Sequence, residues 1–309
     1  MNLKSIRAQF AETVLSIAEK DEDLVVLVAD ISHGIFKNFR GKFPNRYYNI
    51  GICEPAIVNM AAGLNKVGIN PVVHTIAPFL VERSFEQIKL DFAYQNLNVN
   101  LVSVGGSYDY SKLGYSHHCY EDAAILKHFE RSQIFFPGNA EEFDTLFRQH
   151  YKDSKINYFR ITEFPHKQNI SLNLNKKIYS HKIKNGSDIS IVVLGNQLEK
   201  VINAEKYLNS EKINAEIIYY NCLKPFEDKI FLESIKKTKK FLCVEEISQF
   251  GGLYEECLRS LSKSKISFNS EQIAIKNIIH DYGTYDDLSE SSGVSEKNII
   301  FQSKKIIGI

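Results

Sequence analysis

Asn49-Ile50-Gly51-Ile52-Cys53-Glu54-Pro55, with the run Ala56 to Gly68 behind it, decides how the chain is read. A short apolar segment ends at a glycine, and an acid stands directly before a proline. Ile57, Val58, Met60, Ala61, Ala62 and Leu64 then recur at helical spacing as far as Gly68. Proline suits the first position of a helix, because its missing N–H is one of the orphan donors there anyway. Glu54 is therefore expected at the mouth of a helix, at the end of a strand. Taken alone, an acid at that place is explained by the helix dipole. In an open α/β sheet, however, the same edge is where ligands bind.

Outward from this stretch the pattern alternates. Leu3, Ile6, Phe10, Val14 and Ile17 predict a first helix, and Leu24 to Ala29 is a continuous apolar run of the kind buried on both faces. Further strands are expected at 47–50, 71–74, 99–104, 134–136 and 157–161. Helices are expected at 55–67, 79–94, from 121 onward and at 140–151. Residues 31–46 and 105–120 read as polar loops. The polar stretch 166–187 reads as a linker between a domain over 1–165 and a second over 188–309. In the second, strands at 189–194, 215–220, 241–244 and 274–279 alternate with helices at 198–208, 230–237 and 253–261. The expectation is an α/β protein of two domains, each a mainly parallel sheet flanked by helices.

The totals narrow the function. With 38 basic and 37 acidic residues the net charge is +1, so no field is available for nucleic acid or an anionic membrane. The five cysteines form no CxxC pair and are odd in number, which fits reduced thiols in the cytoplasm. No apolar leader and no run long enough to span a bilayer is visible, so a cytoplasmic, membrane-free protein is expected. His117 and His118 are adjacent, a poor spacing for closing a tetrahedral site, and no metal ligand is assigned to this chain. Neither phosphate-cradling glycine motif nor a G-x-S-x-G elbow occurs. What remains is a convergence: Asp30, Glu54, Thr75, the loop Gly105–Cys119 and Arg160 all fall at expected C-terminal strand ends, which face one crevice in a parallel sheet.

Read in order, Leu24–Asp30, Tyr48–Gly68, His74–Val104, Gly114–Leu126 and Phe136–Ala140 resemble the pyrimidine-binding domain of the transketolase family, a thiamine-diphosphate-binding fold. Gly186-Ser187-Asp188, Leu223-Lys224-Pro225-Phe226, Glu245-Glu246 with Gly251-Gly252-Leu253, and Tyr282-Gly283 resemble that family's C-terminal domain. The resemblance covers almost the whole chain. It implies that Gly51-Ile52-Cys53-Glu54 is the turn whose Glu bonds the pyrimidine nitrogen of thiamine diphosphate and shares the proton that activates the cofactor. It implies cofactor contacts from Ile52, Arg83 and Asp30, and stacking from Phe79. Gly114-Tyr115-Ser116-His117-His118 matches a loop whose first His faces the substrate, so His117 is expected to be catalytic and substrate-binding. His33 and Arg160 are expected at the substrate too, Arg160 because guanidinium suits a phosphate or carboxylate.

Two departures stand out. Leu113 replaces an Asp that the family usually sets before the glycine of that loop, and Ile76 stands where many members have an aromatic. The family's glycine–aspartate motif for Mg2+ and diphosphate is not found. The implied enzyme is therefore split: one subunit of a transketolase-like transferase moving a two-carbon ketol unit between sugar phosphates. It would act only with a separate diphosphate-binding subunit that holds most of the Mg2+ site, in an α2β2 assembly. Leu113 keeps open a pyruvate or 2-oxo-acid donor, as in deoxyxylulose-phosphate synthases and 2-oxo-acid dehydrogenase subunits of the same fold. A non-catalytic scaffold is the reading from a different class, and the presence of Glu54 speaks against it.

Overall fold

The computed structural model describes residues 4–309. In the first half the elements run α1 (Ile6–Ala18), β1 (Leu24–Val28), α2 (Lys37–Lys42), β2 (Tyr47–Asn49), α3 (Glu54–Lys66) and β3 (Asn70–Ile76). After two π-helical turns, Pro78–Glu82 and Ile88–Tyr94, that flank the short α4 (Phe85–Gln87), come β4 (Val99–Val104), α5 (Asp122–Lys127), β5 (Ser132–Phe135), α6 (Ala140–His150) and β6 (Ile156–Arg160). The second half holds β7 (Ser180–Lys184), β8 (Ile189–Leu194), α7 (Leu198–Ser210), β9 (Ala215–Tyr220), β10 (Cys222–Lys224) and α8 (Lys229–Thr238). β11 (Lys240–Ser248), α9 (Leu253–Leu261), β12 (Asn269–Ile275), α10 (Tyr285–Ser291) and α11 (Glu296–Ile307) complete it.

The strands form two sheets, β10-β5-β6-β4-β3-β1-β2 and β12-β11-β8-β9-β7. All neighbours are parallel except β10 on β5 and β7 on β9. Strands β1, β4, β6, β8 and β9 are buried along their whole length, because helices cover both faces and leave neither open to solvent. Register aligns the strand ends: Val28 lies beside His74 and Asn49, Thr75 beside Ser103, and Ser103 beside Arg160. One edge of the first sheet thus carries the turns after β1, β2, β3, β4 and β6.

Three expectations need correcting. The stretch taken as linker contains β7, which pairs with β9 as an antiparallel edge strand. Its sequence, Ser-His-Lys-Ile-Lys, looks unlike a buried strand because it has only one partner, and lysine is what protects an exposed edge. The loop at 31–46 holds the short helix α2. The last strand of the second sheet runs at 269–275, earlier than the sequence pattern suggested, because its first four residues are only partly buried and carry no apolar signal. No helix among the described residues is long and apolar enough to cross a membrane.

Candidate functional site

Glu54 begins α3 and is 2% exposed. Its position is set from three sides. Gly51 adopts a left-handed φ of 77°, which lets the chain reverse between β2 and the helix. The Asn49 side chain closes that turn by accepting the Gly51 N–H at 3.0 Å and the Asp30 N–H at 2.9 Å. Pro55, the second residue of α3, lies in the first turn, where its missing N–H leaves no helix bond unmade.

Inside, the Arg83 guanidinium donates to Glu54 Oε2 at 2.7 Å, and the Thr75 hydroxyl, at the end of β3, lies 3.5 Å from Oε1. Arg83 in turn lies over the ring of Phe79, 4.1 Å from its centroid. The edge of that ring meets His117, with centroids 5.2 Å apart and planes at 74°. Phe79 and Arg83 share the first π-helical turn, closed by the bond from Arg83 N–H to the Pro78 carbonyl at 3.1 Å. Such a turn is a recurrent feature of functional sites. The expected single helix over 79–94 is broken by it.

The rim of this group is open. Ile52 is 70% exposed, Cys53 is exposed, and Phe79 and His117 are half-buried. A buried, ion-paired carboxylate therefore lies beneath an apolar, partly aromatic surface. Ile52 provides part of that surface beside Glu54 but makes no polar bond there.

Asp30 and His33 make a neighbouring, separate cluster. Asn49 Nδ2 donates to Asp30 Oδ1 at 3.0 Å, and His33 Nε2 lies 3.3 Å from the same carboxylate. Asp30 thus braces the turn that carries Glu54, and His33 packs beside Tyr47. Arg160, expected at the substrate, is held within the protein. It is 6% exposed, donates from Nε to Asp122 at 2.8 Å, and from Nη2 to Ser107 Oγ and the Cys119 carbonyl at 2.7 and 3.1 Å. Asp122 also accepts the Tyr158 hydroxyl at 2.5 Å. An Arg so placed ties the base of the 105–120 loop to the sheet and leaves those donors unavailable to a substrate anion.

Sequence reading missed a polar chain next to this edge. Arg7 donates to Ser32 Oγ at 2.9 Å, Ser32 Oγ lies 2.7 Å from His74 Nε2, and His74 Nδ1 is 2.8 Å from the Val102 carbonyl. With Nδ1 donating to Val102, Nε2 accepts from Ser32, which fixes the neutral tautomer. Burial drives the His74 pKa down to about 4. Asp109, in the 105–120 loop, goes the other way. Burial and the nearby Glu246 carboxylate push it up to about 8, although Thr162 and the Glu163 N–H bond it. Neither residue has a sequence motif; left-handed φ values at Asp30 and Ser32 in one loop and at Ser107 in the other mark these segments, and those are invisible in the sequence.

Two family models cover most of the chain: the transketolase pyrimidine-binding domain over residues 4–165 and the transketolase C-terminal domain over residues 179–299. The chain belongs to the transketolase family. It is 26% identical over 304 residues to one subunit of the apulose-4-phosphate transketolase of Phocaeicola vulgatus, covering 96% of each chain. It is 25% identical over 300 residues to the 6-deoxy-6-sulfo-D-fructose transketolase subunit SqwH of a Clostridium species, covering 96% of this chain and 92% of that one. Among solved structures it superposes on a split-gene transketolase described as an inactive β4 tetramer, with a TM-score of 0.87, 25% identity and 99% of both chains covered. The chain is a subunit of a transketolase-like enzyme, and its family implies thiamine diphosphate. The residues present fit the pyrimidine end of that cofactor: a buried carboxylate to meet a ring nitrogen, under an aromatic edge. Among the described residues no group of three His, Cys, Asp or Glu side chains is placed to hold a metal ion.

Proposed function

We propose that this chain is the pyrimidine-side half of a split transketolase, supplying Glu54, Arg83, Phe79 and His117 to a site completed by a diphosphate-binding subunit. The observation that carries this is Glu54, buried at the sheet edge and held by Arg83 and Thr75 beneath the Phe79–His117 pair. When bound, thiamine diphosphate supplies the carbanion equivalent that cleavage next to a ketose carbonyl requires. Glu54 would hold a proton against the pyrimidine nitrogen. Arg83 would keep that carboxylate in one rotamer, and Phe79 would flank the ring. His117, an imidazole at the rim, is suited to give or take a proton at the substrate oxygen. Mg2+ would be held mainly by the partner, in an α2β2 assembly working in the cytoplasm on sugar phosphates.

A second donor class is favoured by Leu113. It is apolar and 53% exposed in the loop that carries His117, where an Asp would have read a donor hydroxyl. A pyruvate-type donor needs no such reader.

The test is reconstitution with the diphosphate-binding subunit, followed by cofactor binding and ketol transfer for wild type and Glu54→Gln. The variant should still form the complex but lose activity by roughly a hundredfold or more, the usual worth of a positioned proton-transfer group. Full activity in Glu54→Gln would sink the assignment. Carbon dioxide release with pyruvate would transfer the reading to the second donor class.

A further inference from the structure

We propose that Tyr282 is a positioning residue for the loop that carries His117, so that the C-terminal domain sets the geometry of a site it does not line. The inference rests on the transketolase reading for its catalytic consequence, and on geometry alone for its structural one.

The loop is pinned at its base and largely exposed at its tip. Ser107 and Cys119 exchange backbone bonds, at 2.6 and 2.8 Å, and close the base like a bridge. Between them lie two single turns of 3-10 helix, Ser111–Leu113 and Tyr115–His117. Lys112, Leu113, Tyr115 and Ser116 are exposed, so few side chains pack the tip. The two turns meet at Gly114, with φ 76° and ψ −172°, a conformation essentially confined to glycine. The Gly114 carbonyl accepts the His117 N–H at 2.9 Å. Any rotation at Gly114 therefore swings His117.

Tyr282 is placed against this pivot. A side chain on Gly114 would meet the Tyr282 ring, its Cβ lying 2.6 Å from Cε1 and 2.7 Å from Oη. The ring thus fills the space the glycine leaves and bears on its backbone. Tyr282 is otherwise 72% exposed, so burial in the core does not account for its place. Its segment is anchored on both sides. Upstream, the Ile279 N–H donates to Tyr120 Oη at 3.2 Å. Downstream, the Thr284–Asp287 capping box starts α10 immediately after Gly283.

The contact is an exposed aromatic on a glycine pivot, and its removal should loosen the loop without unfolding the chain. In Tyr282→Ala, amide hydrogen exchange at residues 114–118 of the purified chain should rise about tenfold or more, while α3 and β4 stay as in wild type. Tyr282→Phe, which keeps the ring, should restore wild-type exchange. In the complex with the diphosphate-binding subunit, Tyr282→Ala should lose roughly ten- to a hundredfold in kcat/KM through misplacement of His117. The loss should fall on the sugar substrate, with thiamine diphosphate affinity unchanged, and Phe should again rescue it. Gly114→Ala, which displaces the ring from the other side, should give the same exchange signature. Unchanged exchange at 114–118 in Tyr282→Ala would overturn the proposal. A wild-type pair without transferase activity would overturn the transketolase reading, while the exchange result would still decide the role of Tyr282.

Discussion

Glu54 and Arg83 are unequal partners: the Glu54 side chain is 2% exposed and the Arg83 side chain 43%. Solvent screening at the Arg end reduces what the pair contributes, but truncating Arg83 would leave a buried carboxylate without its cation. We expect Arg83→Met to cost about 1–2 kcal/mol in urea unfolding, below the range for fully buried pairs. In a Glu54→Gln background the same change should cost less than ~1 kcal/mol, because a neutral amide does not need the cation. Equal costs in the two backgrounds would mean that the pair is not coupled. At this scale the sequence was legible where backbone chemistry dictates a position. Gly-x-x-Glu-Pro after an apolar run can hardly be anything but a turn into a helix, and Glu54 lies there. It was not legible where a long side chain chooses among partners. Arg160 sits at the expected strand end, yet Asp122, 38 residues earlier in the chain, captures it. Asp30 likewise turns to Asn49.

Strands of the first sheet were readable because burial on both faces leaves an uninterrupted apolar run, as in Leu24–Val28. The segment after β3 was not. Leu80, Phe85, Ile88 and Phe92 give helical spacing, but two turns widen to the π form, and the first of them carries Phe79 and Arg83, with Arg83 on Glu54 and Phe79 against Arg83. Ionisation behaviour was hidden for the same reason: burial is a tertiary property. Asp109 has a folded pKa of about 8 against an ordinary 3.8, so the folded state holds its proton more tightly than the unfolded state. Its contribution is fully present below about pH 4 and is lost as pH rises through about 8. His74 is the converse. With a folded pKa of about 4 against 6.5, its contribution is present above pH 6.5 and lost as pH falls toward 4. Asp109→Asn, which mimics the protonated acid, should remove part of the alkaline decline. Between pH 6 and 9 its melting temperature should fall less than that of wild type. Parallel curves for the two proteins would show that Asp109 does not titrate in this window.

At the scale of the molecule the two domains share structure that a linker between them does not suggest. Strand β10, from the second half, pairs antiparallel with β5 and completes the first sheet. Lys224, at its end, reaches back to the Lys127 carbonyl and Ser132 Oγ, both at 3.1 Å. A single apolar cluster contains Leu27, Val73 and Ile134 from the first sheet together with Val192, Ile218 and Phe241 from the second. Gly251 lies so close to Ala124 that a Cβ there would collide with the alanine methyl. These contacts were hidden because Cys222-Leu223-Lys224 is too short to register as a strand, and its partner lies some 90 residues away. A fragment of residues 1–178 would leave the edge of β5 unpaired and strip the second-half side from the shared core. Both are costs that a small domain's net stability of about 5–15 kcal/mol cannot absorb. The intact chain should therefore melt in one transition, with far-ultraviolet and near-ultraviolet circular dichroism coinciding. The fragment should show no cooperative transition or should aggregate. A fragment that melts cooperatively at the temperature of the intact chain would mean that the first sheet is self-sufficient. In that case β10 and the shared core would serve to hold the C-terminal domain, and with it Tyr282, against the loop, rather than to stabilise the fold.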